Sequence, residues 1–204
     1  MRDPDVAVPL TVTVVETAGL DGSPTAQTVD VPDATLHGTV VQLRPAGRED
    51  IRALVQIRRT PEVFRSWRGG DDLEAAVEED FAEVDVVAFV IELDDRVVGW
   101  IQWDAEDEPD YRHANMDIYV DPAVHGRGVC TDAVRTLARH LIVDHGHHRV
   151  VIDPAADNTA AIRCYRKVGF RPVGIMRRYE RGNDGTWHDN LLMELLADEL
   201  IDEH

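Results

Sequence analysis

From Thr39 onward the apolar positions switch repeatedly between a period of two and a period near 3.6, which predicts an alternation of strands and helices. Val40-Val41-Gln42-Leu43-Arg44-Pro45 reads as a strand. Over residues 49–59, Ile51, Leu54, Val55 and Ile57 fall near helical spacing, and Thr60-Pro61 ends the run. A second helix is predicted over 73–81. Residues 86–92 and 96–103 are β-rich and joined by Leu93-Asp94-Asp95, a connection short enough to imply an antiparallel hairpin. Asp104 to His113 reads as an acidic loop, and 115–120 as a strand closed by Asp121-Pro122. The stripe Ala133, Val134, Leu137, Ala138 and Leu141 predicts an amphipathic helix that stops near Gly146. Beyond it come a strand at 149–152, a helix over 158–167, and strands at 172–180 and 187–196 flanking the turn Gly182-Asn183-Asp184-Gly185.

Three segments follow from this pattern: an extension over 1–38, a mixed α/β (α+β) domain over 39–196, and an acidic tail over 197–204 that reads as frayed. In the extension, residues 10–16 and 25–31 alternate on either side of Ala-Gly-Leu-Asp-Gly-Ser-Pro, the pattern of a hairpin. Its charge, Arg2 against Asp3, Asp5, Glu16, Asp21, Asp30 and Asp33, equally fits a partly ordered tail.

Composition narrows the partners. With 44% hydrophobic and 29% charged residues the chain is globular, and 21 Lys+Arg against 39 Asp+Glu give a formal charge of −18. Such a surface repels a polyanion, which argues against nucleic acid and for a cationic small-molecule amine. The start is acidic where a secretory leader would be basic, and no apolar run approaches the roughly 18 residues of a membrane span, so no membrane partner and a cytoplasmic location are expected. Cys130 and Cys164 lack the spacing of a metal or disulfide framework. His140, His145, His147 and His148 meet at a helix-to-strand turn without a cysteine or paired carboxylate, so they read as a solvated turn and no metal is expected.

The most informative stretch is Asp121-Pro122-Ala123-Val124-His125-Gly126-Arg127-Gly128-Val129-Cys130-Thr131, between a strand and a helix. A Gly-rich turn entering a helix lets backbone N–H groups converge on an anion where the helix dipole favours it. The alternative is a tight connection with no ligand. The turn lacks both the Gly-Lys-Ser/Thr of a triphosphate loop and the full GxGxxG of a dinucleotide fold, which excludes ATP and NAD as natural ligands.

That loop, followed after the next strand by Asn158-x-x-Ala161-Ile162-Arg163-Cys164-Tyr165-x-Lys167-x-Gly169-Phe170, resembles the GNAT superfamily of acetyl-CoA-dependent N-acetyltransferases over about residues 39–196. Within it the chain is most similar to aminoglycoside 6′-N-acetyltransferases, through Trp67-x-Gly69-Gly70, Gly99-Trp100-Ile101-Gln102, the acidic loop and Asp117. Some siderophore and hydroxamate acyltransferases look similar in the same regions. The resemblance implies a mixed, mostly antiparallel sheet, flanked by helices and splayed between two central parallel strands, 115–120 and 149–152, with acetyl-CoA in the wedge. It implies that His125, Gly126, Arg127, Gly128, Val129, Cys130 and Thr131 hold the pyrophosphate, with Asn158 and Ala161 beside the pantetheine arm. A main-chain N–H at Tyr119 or Val120 would polarise the thioester, and Tyr165 would protonate the leaving thiolate.

Asp117 is then the carboxylate that binds the acceptor ammonium or takes its proton, with Asp153 a second ammonium ligand. Trp67, Trp103 and Asp104, with Glu106, Asp107 and Glu108, would wall an acidic cleft. Each has a plainer reading: a core tyrosine, an N-cap asparagine, an edge carboxylate in solvent, an Asp-Pro turn and a solvated charge run. His125 and Cys130 depart from the superfamily loop, which carries arginine or glutamine and then glycine or alanine at these places. Arg163, Arg166, Lys167 and Arg171 would give the cofactor a positive flank. The expected function is acetyl transfer to a primary amine, the aminoglycoside 6′-amine first, by a monomer or homodimer. Siderophore or protein α-amine acylation and non-catalytic acyl-CoA binding are the alternatives.

Overall fold

A computed structural model describes residues 34–202. The hairpin expected from residues 10–16 and 25–31 lies outside them. The described chain runs β1 (Leu36–His37), β2 (Gln42–Pro45), α1 (Ile51–Arg58), α2 (Pro61–Ser66), α3 (Leu73–Asp80), β3 (Val87–Leu93), β4 (Arg96–Glu106), β5 (His113–Val120), α4 (Val129–Val143), β6 (Arg149–Ile152), α5 (Thr159–Val168), β7 (Arg171–Arg181) and β8 (Trp187–Leu196). The strands form one mixed sheet in the order β1-β2-β3-β4-β5-β6-β8-β7. Every adjacent pair is antiparallel except β5 and β6. This is the architecture the resemblance implied.

Local chemistry accounts for most of the elements. Asp94 and Asp95 both adopt positive φ (51° and 59°), the left-handed pair a two-residue hairpin loop needs and one that aspartate tolerates. Pro61, read as a stop, also starts α2: a proline lacks only an N–H that the first helical position leaves unpaired anyway. Residues 104–106, read as loop, instead extend β4, because Asp104, Ala105 and Glu106 pair with Asn115, Ala114 and His113. Asn115 Nδ2 donates to Asp104 Oδ1 at 2.7 Å across that rung.

Two apolar cores lie on the two faces of the sheet. Ile101, Trp103, Met116 and Ile152 pack with α4 and α5 on one face, and Val90, Trp100 and Tyr119 with α1 to α3 on the other. The tail is corrected from frayed to docked as far as residue 202. Ile201 N–H donates to Val168 O (2.9 Å), Arg135 Nε donates to Ile201 O (2.9 Å), and Arg139 pairs with Asp202.

Asp132, 3% exposed in the first turn of α4, fastens the β1–β2 turn to the helix. Its Oδ1 accepts from Thr39 N–H (3.1 Å) and hydroxyl (2.8 Å), and its Oδ2 from Val40 N–H (2.6 Å) and Val41 N–H (2.9 Å). Burial pushes this carboxyl up, but the hydrogen bonds from Val40, Val41 and Thr39 outweigh it and hold it below the usual carboxylate range. An Asp132→Asn variant, which turns donors toward donors, is expected to lose about 2–3 kcal/mol in urea unfolding at neutral pH. A depressed carboxyl contributes stability that is present above the unfolded-state value and is lost as pH falls through the folded one. The gap between wild type and variant should therefore hold constant above the carboxylate range and close below it.

Candidate active site

The site begins where the sheet comes apart. β5 and β6 pair only through Ala114 with Val150 and Asn115 with Val151, and past that point they diverge. On its other side β5 stays paired with β4 to Val120, and Asp121 N–H donates to Val98 O at 2.7 Å. Since antiparallel ladders alternate, Tyr119 and Asp121 turn their N–H groups to β4, and Val120 turns its N–H into the gap. Of the two candidates Val120 is thus the donor facing the wedge. Gly99 opposite it is required by contact: a Cβ there would stand 2.5 Å from Tyr119 O.

A cleft of about 720 Å³ fills the wedge. Val124, His125, Gly126, Gly128, Val129, Cys130 and Thr131 form one wall. Gly126 (φ 77°) and Gly128 (φ 83°, the N-cap of α4) occupy the left-handed region, which leads the chain into the helix without a Cβ penalty. The first intrahelical bond is Asp132 N–H to Gly128 O (3.0 Å), so the N–H groups of Val129, Cys130 and Thr131 have no intrahelical acceptor at the positive end of a 15-residue helix. Asn158, Ala161, Arg163, Cys164, Tyr165 and Lys167 form the facing wall. Asn158 Oδ1 caps α5 by accepting from Ala161 N–H (3.1 Å), so its plainer reading holds while it also lines the cleft. Arg127 turns away to Asp94 (3.3 Å) in an exposed pair. Arg163 and Lys167 are the flanking cations that reach the cleft.

At the other end the lining changes to Glu62, Ser66, Trp67, Arg68, Glu180, Asn183 and His188. Trp67 meets Tyr119 edge-on, centroids 4.7 Å apart. Behind them Arg58, 1% exposed, donates to Asp80 Oδ2 (2.7 Å) and to Arg68 O. Asn183, in the β7–β8 turn, roofs this end: its Nδ2 donates to Phe64 O (2.5 Å) and Trp67 O (2.9 Å), and its Oδ1 accepts from Gly70 N–H (3.1 Å).

Asp117 shares the β5 face of Tyr119, two residues on, and is partly buried on a central strand, not in solvent at an edge. Burial pushes its carboxyl up to about 6, with Asp153, Asp104 and Glu180 adding to the rise and Arg68 opposing it. Asn190 joins two of these acids: its Nδ2 reaches Asp153 Oδ2 (3.2 Å) and Glu180 Oε2 (3.3 Å). Burial also raises Asp153. Tyr165, 4% exposed, has its phenol pushed well up by burial and by Cys130, Cys164, Asp117 and Asp153, so at neutral pH it carries its proton.

Not every expected residue comes to the cleft. Trp103 falls on the opposite face by strand parity and is buried in the α4–α5 core, edge-on to His145 (4.8 Å) and His147 (6.0 Å). Asp117, Asp104 and Asp153 stand close enough to share their charge but do not line the cavity, Glu180 being the member of this acidic group that does, and Glu106, Asp107 and Glu108 are exposed. The histidine turn is corrected too. His147 is buried, its imidazole lowered to about 4 by desolvation, then Arg112 and His145, while His140 binds Asp144 (2.6 Å). Among the described residues no group of three His, Cys, Asp or Glu is placed to hold a metal. Sequence reading missed Arg58, Glu180, Asn183 and Asn190. For the last three, the only signal was their position around a hairpin turn whose place over the cleft depends on the sheet order.

Comparison with known proteins bears on the family and the fold. Residues 41–171 match the family described as Acetyltransferase (GNAT) domain. Spermidine N(1)-acetyltransferase from Escherichia coli K12 is 27% identical over 175 residues, 80% of this chain and 90% of its own. Aminoglycoside N(6′)-acetyltransferase type 1 from Klebsiella pneumoniae is 26% identical over 155 residues, 67% of this chain and 76% of its own. Among solved structures, Mycobacterium smegmatis RimJ in complex with CoA-disulfide superposes with a TM-score of 0.72 at 27% identity, over 83% of this chain and 89% of that one.

Proposed function

This chain belongs to the GNAT acetyltransferase family, and from that membership we propose that its cleft transfers the acetyl group of acetyl-CoA to a primary amine of a polycationic small molecule, the 6′-amine of an aminoglycoside first. The observation that carries the acceptor class is charge. Asp117, Asp153, Asp104 and Glu180 crowd one region, which reaches the cavity wall at Glu180, and the glycine loop that would serve as an anion cradle lines another part of the cleft. The roof made by Asn183 favours a small acceptor over a folded protein surface.

The loop suits the cofactor, because left-handed glycines and the free N–H groups of a helix N-terminus are what a pyrophosphate requires. When bound, acetyl-CoA would supply the thioester, its acetyl group passing to the amine and coenzyme A departing as the thiol. The remaining work falls to residues of the chain. Asp117 holds the acceptor ammonium and takes its proton, directly or through a water, so that the amine attacks as a neutral nucleophile. Val120 N–H, turned into the gap between β5 and β6, would donate to the thioester oxygen as it gains charge. Tyr165 Oη donates its proton to the departing sulfur.

Free-thiol release from acetyl-CoA, measured across aminoglycosides with and without a 6′-amine, spermidine, a hydroxylysine-like acceptor and a peptide α-amine, tests this reading. Activity confined to 6′-amine compounds upholds it. Activity confined to spermidine keeps the polycation and removes the aminoglycoside, and turnover on the peptide alone overturns both. Tight cofactor binding with no acceptor would mark a binding module. A Tyr165→Phe variant is expected to lower kcat on the order of 10²-fold with KM for acetyl-CoA little changed, since only the transferred proton is removed.

A further inference from the structure

Two thiols that the transfer reaction does not use face each other across the cleft wall. Cys130 lies in the first turn of α4 and Cys164 in the middle of α5, 34 residues apart in sequence, and their sulfurs stand 2.8 Å apart. Thr131 Oγ1 is 3.2 Å from Cys164 Sγ. Both cysteines are unpaired thiols, partly exposed, and both line the cavity between the glycine loop and Tyr165. Closing this contact to a bond of about 2.05 Å requires a motion under 1 Å. We infer that Cys130 and Cys164 form a redox-active dithiol that exchanges with the disulfide of coenzyme A and ends as an intramolecular disulfide joining α4 to α5.

The two sulfurs have different roles. The hydrogen bond with Cys130 holds Cys164 below the usual thiol range, helped by Thr131, Lys167 and Arg135 against burial, whereas the same contact and burial push Cys130 up. Cys164 is the attacking thiolate. It bonds to one sulfur of the disulfide, whose S–S bond breaks and releases one coenzyme A thiolate. Cys130 then gives up its proton and attacks Cys164 Sγ, expelling the second coenzyme A as thiol. Two cysteine thiols are oxidised, one disulfide is reduced to two thiols, and no other oxidant is required. The choice of a phosphorylated thiol rests on the proposed reading that the adjacent glycine loop holds the coenzyme's phosphates.

The full-length reduced protein is incubated with coenzyme A disulfide and, separately, with glutathione disulfide. Thiol release and intact mass are followed for wild type, Cys130→Ser and Cys164→Ser. Wild type is expected to release both halves of coenzyme A disulfide and lose one pair of hydrogens, at least about tenfold faster than with glutathione disulfide, because the cradle concentrates the anionic reagent. Cys130→Ser should stop at a mixed disulfide on Cys164, and Cys164→Ser should not react. Wild type that keeps both thiols alkylatable, or a Cys164→Ser variant that reacts as fast, overturns the dithiol. Equal rates with the two disulfides overturn the coenzyme specificity. A thermal shift with coenzyme A thiol is read alongside: a shift without exchange sinks only the dithiol, and no shift sinks the cradle reading as well.

Discussion

Asp117→Asn is expected to cut kcat/KM for the amine acceptor on the order of 10²-fold or more and to remove the acid limb of the pH profile. An ordinary aspartate is a weak base for an ammonium. Here burial, reinforced by Asp153, Asp104 and Glu180, moves Asp117 up to about 6, closer to the amine it must serve. Below that value the carboxyl is protonated and can neither hold an ammonium nor take its proton. Wild-type kcat/KM should therefore rise as pH increases through about 6 and then level off. The asparagine variant keeps the shape and loses the ionisation, so its profile should be flat through the same range. Initial rates of thiol release between pH 5 and 8 check this. If kcat survives and only the acceptor KM rises, Asp117 is an ammonium ligand and the proton leaves by another route.

Arg58→Ala should be the most damaging substitution for stability, with a loss of about 3–5 kcal/mol. Arg58 is buried, and it satisfies both Asp80 and the carbonyl of Arg68 beneath the Trp67–Tyr119 pair. Removing the guanidinium leaves a carboxyl enclosed without its counter-charge. Burial already raises Asp80 to about 6 despite Arg58, and without Arg58 it should rise further. A carboxyl raised in the folded state contributes stability that is fully present below its unfolded value and is lost as pH rises through the folded one. Urea unfolding of the variant should accordingly show its smallest deficit near pH 5 and a larger one at pH 7. Adding Asp80→Asn should recover part of the loss. If the deficit does not depend on pH, packing and not charge is the dominant cost.

Much of the fold was legible because its signals are local. The apolar stripe of α4, the paired aspartates of the β3–β4 turn and the glycines before α4 each specify their own conformation. The glycine-loop wall of the cleft, proposed to hold the cofactor, was legible for the same reason, since the loop and the first turn of a helix are contiguous in sequence. The acceptor half was not. Trp103 looked like a cleft wall from its acidic neighbours, but one step of strand parity sends it to the other core. Glu180 and Asn183 come to the cleft, and Asn190 to the carboxylates behind it, because β8 inserts between β6 and β7, an order no nearby residue announces. Cys130 and Cys164 carry no spacing signal, because their meeting depends on how two helices cross.

The parting of β5 from β6 has a further consequence for association. A gap inside a sheet creates two strand edges, and bare edges template aggregation. The outer edges of this sheet are poor templates: β1 is two residues long, and β7 carries Arg171, Arg177, Arg178 and Arg181 and is kinked at Arg178 (φ 50°). The inner edge of β5 beyond Asn115 opens into a cleft walled by α2, α4 and α5 and roofed by Asn183. These walls stand in the way of another chain's strand that would pair along β5. The enclosure lets the protein keep open backbone valences for a ligand without offering them to its neighbours in a crowded cell.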